Sequence, residues 1–404
     1  VGILGLLATI PKSLELEPEM RNHQCPICGR ESEAILQLHF NQKMKLPTEV
    51  SIRHCELDNF LFVANGDQES YEDYYKTLAN DSYHSEIAGG DLHSPIAQLQ
   101  RDHLVKLLGE FFQEPRKVLD FGCGEGWLLT ELAREFPSSS FWGFDPSPAA
   151  PVGSGKARAL GLTNLRIDRQ APSGTTYDLV IASHVLEHLI DFDLVQFWSS
   201  LLTENGILYV EVPNALEYAS HERMEFLYYF DRLHVNHFTA QTLAKLVAQH
   251  RFGYIGQFEY EFPYRDGKKY PGLGMLFRKG GEAVEITSPS ILETATLYIS
   301  QEQQRAKAFN QELKKFDGVL VWGAGDNFYR SSENSGPLCD LPNMVVLDRR
   351  PQVVGIGSRT WTTEAPAEGI RRHSWPVVVT VSEGRQTIGN EVKQIDGSRQ
   401  IFFL

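Results

Sequence analysis

Lys117-Val118-Leu119-Asp120-Phe121-Gly122-Cys123-Gly124-Glu125-Gly126-Trp127 passes from a short apolar run, through alternating glycines, into a helical pattern that continues to Phe136. The order is strand, glycine turn, helix. A turn with few side chains lets a ligand approach the backbone, and the helix start offers it free N–H groups. A dinucleotide fingerprint needs its third glycine at position 127. Trp127 stands there, and the rhythm is G-x-G-x-G instead.

Working outward, strand and helix patterns alternate, the signature of a parallel sheet covered by helices. Phe141–Phe144 reads as the second strand and ends at Asp145, where an acidic side chain can accept both ribose hydroxyls. Asn164–Ile167 reads as a third strand, with Asp168 at its end. Tyr177–Ser183 is a fourth, left through a turn or short helix, His184–Ile190. Gly206–Val212 is a fifth and ends at Pro213-Asn214. Ligands of open α/β sheets bind at the carboxyl ends of the strands, and Asp120, Asp145, Asp168, Ser183, His184 and Asn214 all fall there.

Four blocks now stand in order: Val118–Gly126, Phe144–Ser147, Tyr177–His188 and Gly206–Asn214. Together they resemble the class I S-adenosylmethionine (SAM)-dependent methyltransferases. That resemblance implies a Rossmann-like α/β core with SAM as cofactor. By it, Asp120, Phe121, Gly122, Gly124 and Gly126 form the turn around the methionine part. Asp145 holds the ribose, Pro146 packs near the adenine, and Ile167 or Asp168 flanks that ring. Ser183 and His184 sit beside the methionine moiety. His188 reads as a helix-terminal histidine making a local hydrogen bond.

Upstream, Cys25-Pro-Ile-Cys28-Gly29 is a C-x-x-C-G knuckle, and Cys55-Glu-Leu-Asp58 repeats the spacing with aspartate in place of the fourth cysteine. Thiolates and a carboxylate can both ligate tetrahedral zinc, so Cys25, Cys28, Cys55 and Asp58 are the expected ligands of a structural Zn2+. His54 and His39 are the alternatives for the fourth.

After the fifth strand, Tyr228–Thr239 precedes a clear helix, Ala240–Gln249. Methyl transfer needs an aligned acceptor and, for a hydroxyl or carbon acid, a base. His234 is the candidate base and His237 the second, because imidazole titrates near neutrality. The layout of knuckle, core and C-terminal glycine-turn domain resembles the sugar C-methyltransferases, which act on nucleotide-linked keto-sugars. There a Glu-His pair precedes Phe-Ser or Phe-Thr. His234 aligns with that His through Phe238-Thr239, Leu233 stands in the Glu position, and Asp231 stands where Tyr is usual. Tyr83 matches an upstream Tyr of that family's site. The missing Glu weakens the enolate chemistry of carbon methylation and leaves oxygen open.

In the C-terminal region, a strand-like piece at Gln257–Phe262 and a polar turn at Tyr264–Gly272 lead to a long helical stretch, Ile291–Lys315. Gly318–Trp322, Gly323-Ala324-Gly325 and Met344–Asp348 then repeat strand, glycine turn, helix, strand, acid. By resemblance this domain helps hold the sugar nucleotide, with Asn327 and Tyr329 as contacts.

The expected layout over 404 residues is therefore a zinc module at 1–65, a SAM-binding core at 66–255 and a Rossmann-like, substrate-binding domain at 256–404. A net charge of -14 argues against broad nucleic-acid binding. No run is apolar enough to span a membrane. Val1–Pro11 lacks a basic n-region and a cleavage site, so it is not read as a signal peptide. Five cysteines form no disulfide framework, which fits a reducing cytoplasm. The leading expectation is C- or O-methylation of a nucleotide-activated sugar. The alternatives are O- or N-methylation of another small metabolite, such as a polyketide or peptide product, and a non-catalytic SAM-binding module.

Overall fold

The structure is a computed structural model and describes residues 23–41, 45–77, 95–109, 111, 115–221, 225–263, 268–333, 335–381 and 384–404. Val1–Pro11 and Tyr83 lie outside the described residues.

In chain order the strands are β1 (Glu33–His39), β2 (Glu49–Cys55), β3 (Phe60–Ala64), β4 (Lys117–Phe121), β5 (Ser140–Phe144), β6 (Leu165–Asp168), β7 (Tyr177–Ser183) and β8 (Leu202–Pro213). They continue with β9 (Asn236–His237), β10 (Phe252–Pro263), β11 (Lys269–Lys279), β12 (Val319–Trp322), β13 (Met344–Leu347), β14 (Val353–Ile356), β15 (Arg359–Thr362), β16 (Val377–Val379) and β17 (Ile401–Phe403).

The chain folds as two compact units. The first takes the described residues within 1–33, 53–221 and 233–292, and the second takes those within 34–52, 222–232 and 293–404. Neither boundary of the expected three-part layout coincides with them.

The first unit is built on a seven-stranded sheet of order β10-β11-β8-β7-β4-β5-β6. β6, β5, β4, β7 and β8 are parallel. β4 has its chain successor β5 on one side and β7 on the other, so the strand order reverses at β4 and opens a crevice at the strands' carboxyl ends. Both faces are covered, and the apolar residues divide between them with period two. Leu119, Phe121, Val180, Leu208 and Val210 enter one core. Val118, Leu179, Ile181, Ile207 and Tyr209 enter the other.

Two expectations are corrected here. Residue 256 lies inside β10, which belongs to the seven-stranded sheet. β10 pairs antiparallel with β11, and β11 pairs antiparallel with β8 (Leu273↔Val212), so the sheet's last hairpin is part of the methyltransferase-like core. The supposed polar turn ends inside β11, whose central residues are buried on both faces and show no alternation to read. The cysteine segment is likewise no free-standing module. β3 pairs with β9 (Leu61↔His237), and Cys25, Ile27, Phe60 and Phe62 join the core of Phe192 and Phe238. So short a piece cannot bury its apolar face alone.

The second unit carries a parallel sheet of order β13-β12-β16-β17, covered by the helices Pro366–Arg372 and Arg385–Ile395. Its glycine turn is real: Gly323 has φ 113°, and a Cβ there would meet Thr380 Oγ1 at 2.8 Å. Phe328, at the third fingerprint position, is fully buried. A cleft of 440 Å³ lies within this unit, with His39, Glu49, Tyr329, Glu333 and Gln352 on its walls. Among the described residues no helix is long and apolar enough to cross a membrane.

Candidate active site and cysteine cluster

The turn after β4 exists because its glycines can take the left-handed conformation. Gly122, Gly124 and Gly126 have φ 82°, 54° and 74°. A Cβ on Gly122 would meet Val185 Cγ2 at 2.6 Å, and one on Gly126 would collide with Ile167 Cδ1. The helix Trp127–Glu135 starts directly at Gly126.

The parallel register of β4 and β5 (Phe121↔Phe144) puts Asp145 beside this turn. Its Oδ2 accepts the Gly124 N–H at 2.7 Å, and its Oδ1 accepts the Ser147 N–H at 2.8 Å. A carboxylate oxygen has two acceptor sites, so both oxygens keep capacity for hydroxyl donors. Asp120 is buried at the end of β4. Burial, with Asp145 and Glu211 nearby, pushes its carboxyl up to about 8. Phe121 packs its ring 4.6 Å from that of Phe144. The Pro146 carbonyl accepts the Arg169 guanidinium at 2.7 Å. Asp168 is held by Arg166 at 2.8 Å, which draws its carboxyl below the usual range.

The β7–β8 register (Ser183↔Glu211) builds a second group that the sequence reading missed. Glu211 is fully buried. It accepts from Ser183 Oγ at 3.2 Å and also from Gln100 and Tyr209. His184 Nε2 lies 3.2 Å from the same carboxylate, and its Nδ1 lies 2.8 Å from Glu187. Burial opposes charge on this imidazole, but the two carboxylates outweigh it and raise His184 to about 10. His184 has φ 54°, a conformation that costs a residue with a side chain ~1–3 kcal/mol. Its backbone N–H to Glu211 O, at 2.8 Å, helps hold it there. Glu187 and Glu211 sat inside the quoted blocks; Glu187 meets His184 three residues along the chain, and strand register brings Glu211 to the same ring.

His234 comes next to His188, with ring centroids 4.9 Å apart. His188 Nδ1 lies 2.9 Å from Leu233 O and 2.8 Å from Tyr75 Oη. His237 is fully buried in β9, with Nδ1 3.2 Å from Tyr218 Oη. Asp231 belongs to the second unit.

Cys25, Cys28, Cys55 and Asp58 converge, one ligand atom of each within 4.8 Å of the others. Cys25 Sγ is 3.0 Å from Asp58 Oδ2, and Cys28 Sγ is 3.6 Å from Cys55 Sγ. Asp58 turns Oδ1 to Lys245. His54, on β2, is not in this group, and His39 pairs with Glu333 and Glu49 in the second unit.

Residues 96–255 match a family model described as a methyltransferase domain. The chain is 36% identical over 110 residues to the trans-aconitate 2-methyltransferase of Deinococcus radiodurans, a match covering 26% of this chain and 41% of that protein. It is 30% identical over 133 residues to the malonyl-acyl-carrier-protein O-methyltransferase of Halalkalibacterium halodurans, covering 29% and 49%. The chain thus spans less than half the length of these curated relatives. Among solved structures, the magnesium protoporphyrin IX methyltransferase of Synechocystis with bound S-adenosylhomocysteine (SAH) is 18% identical at a TM-score of 0.39, covering 51% of this chain and 96% of that one.

Over residues 96–255, less than half of its length, the chain is thus similar to methyltransferase domains.

Proposed function

We propose that the whole chain transfers a methyl group from SAM to a nucleotide-activated sugar, with the acceptor meeting the first unit at His234. The observation that carries the transfer chemistry is the His188–His234 pair, its ring centroids 4.9 Å apart, with His188 on the turn that follows β7. SAM already holds an activated methyl group. What the protein adds is in-line alignment and the handling of the acceptor's proton.

Support for the nucleotide comes from the second unit, a parallel sheet with its own glycine turn and cleft. Glu49 and Glu333 put carboxylates on the cleft wall, so it suits a base or sugar hydroxyls better than phosphates. A free small-molecule acceptor is the second reading. It is favoured by Leu233, which stands where the sugar C-methyltransferases carry Glu, and by the names of the curated relatives.

We also assign the cysteine cluster to a structural Zn2+. Three thiols and one carboxylate match zinc's donor preference in number and type. Lys245 on the far oxygen of Asp58 would orient that ligand.

The test is a thermal-shift screen with saturating SAH, adding TDP, UDP, GDP or CDP singly. A ligand that binds only the folded state raises the melting temperature, by about 2.7 kcal/mol of stabilisation at a hundred times Kd. A shift with one nucleotide supports the sugar-nucleotide reading and names its base. No shift with any of them moves the acceptor to a free metabolite. In His234→Ala, turnover should fall ~100- to 10,000-fold with SAH affinity retained. Unchanged turnover removes His234 from the reaction.

A further inference from the structure

We propose that Glu187, His188 and His234 form a divalent transition-metal site that binds and activates an acceptor oxygen. This rests on the methyl-transfer reading above and makes His234 a ligand. One ligand atom from each residue lies within 4.8 Å of the other two.

The donors are prepared for a cation. Glu187 is fully buried, and His184 Nδ1 holds its Oε1 at 2.8 Å. Its Oε2 is also buried and, among the described residues, has no hydrogen-bond partner. A buried carboxylate oxygen left unsatisfied is costly, and a metal ion is one of the few groups that satisfies it. His188 Nδ1 lies 2.9 Å from the Leu233 carbonyl, an acceptor, and 2.8 Å from Tyr75 Oη; a proton on Nδ1 would leave Nε2 as the ligating atom. Metal-binding histidines show this outer hydrogen bond as a rule. Asn236 Nδ2 donates to Leu186 O at 2.8 Å and to Leu189 O at 2.6 Å. It thereby ties the turn carrying Glu187 and His188 to the segment carrying His234.

Two imidazoles and one carboxylate suit iron, cobalt, nickel or zinc better than magnesium and calcium, which prefer oxygen alone, and Mn2+ serves as a spectroscopic probe of such a site. Three protein ligands leave positions for substrate. There a cation acts as a Lewis acid and lowers the pKa of a coordinated hydroxyl. The acceptor O–H loses its proton to water, and an oxygen lone pair forms the new C–O bond to the methyl carbon. The S–CH3 bond breaks with its electron pair kept by sulfur, giving SAH. This chemistry selects oxygen over carbon as the acceptor atom.

The experiment is a Mn2+ titration of the EDTA-dialysed full-length protein, followed by electron paramagnetic resonance, with SAH binding measured by calorimetry on the same samples. One Mn2+ per chain is expected, with affinity lowered at least about tenfold in Glu187→Gln, His188→Ala and His234→Ala. The two histidine variants, at partly exposed positions, keep the test valid if the buried Glu187→Gln fails to fold. SAH binding without Mn2+ binding overturns the metal site and leaves methyl transfer standing. Equal Mn2+ affinity in wild type and the histidine variants also overturns it. Loss of SAH binding in the wild type overturns the methyl-transfer reading itself.

Discussion

The Asp145 carboxylate accepts the Gly124 amide at 2.7 Å, tying the acid after β5 to the middle glycine of the turn after β4. One side chain therefore shapes the turn and faces the position read as the ribose site. Asp145→Ala removes the brace and the hydroxyl acceptor together. Charged hydrogen bonds contribute ~1.5–3 kcal/mol each, so SAH affinity should fall at least about tenfold by calorimetry. Unchanged affinity means the cofactor lies elsewhere.

Gly126→Ala tests the turn itself. The new methyl would sit on a backbone with φ 74° and against Ile167 Cδ1. We expect a loss of ~1–3 kcal/mol in urea unfolding, with weaker SAH binding. Gly161→Ala is the control for strain alone, because it shares the positive φ (70°) but, among the described residues, has nothing within 4 Å of a Cβ. It should lose stability and keep cofactor affinity.

Asp120 predicts a pH dependence. Its folded carboxyl is pushed up to about 8 by burial, then by Asp145 and Glu211, while an unfolded aspartate titrates near ~3.9. Between those values the folded chain keeps a proton that the unfolded chain releases. Linkage then makes this contribution greatest below about pH 4 and removes it as pH rises through about 8, by up to ~1.4 kcal/mol per unit. Asp120→Asn stays neutral throughout. In cofactor-free urea melts, the stability difference should move in favour of the variant from pH 5 to pH 8. A difference that does not change with pH would falsify the protonated Asp120.

The cysteine cluster predicts stoichiometric zinc by plasma emission on protein prepared in metal-free buffer. Cys28→Ser should lose most of it. The melting temperature should drop as well, because binding energy at a structural site is folding energy. Protein that is free of zinc and equally stable would leave three thiols, two of them buried, and an aspartate as plain packing.

The core strands were legible in the sequence because β4 and β7 are compact apolar runs closed by an acid or a serine. Glycine leaves a signature at the turn that no other residue can imitate. The knuckle spacing marked Cys25, Cys28, Cys55 and Asp58, and the structure brings those four together. The hairpin β10–β11 was lost because a strand buried on both faces has no period to detect, so the region was assigned to the wrong side of a boundary.

What the sequence alone determined, then, is local: which strands end in acids, which turn needs glycine, and which cysteines are spaced for one ion. Each follows from neighbours along the chain. Tertiary structure alone decided what depends on register and packing. Ser183 lies against Glu211 because β7 and β8 run parallel in one register, which adds a second carboxylate to the local contact of His184 with Glu187. His234 meets His188 because Asn236 fastens its segment to the turn after β7, whereas His237, three residues on, is buried in β9. Two histidines of equal intrinsic chemistry were separated by one strand's direction, and a sequence pattern carries no such direction.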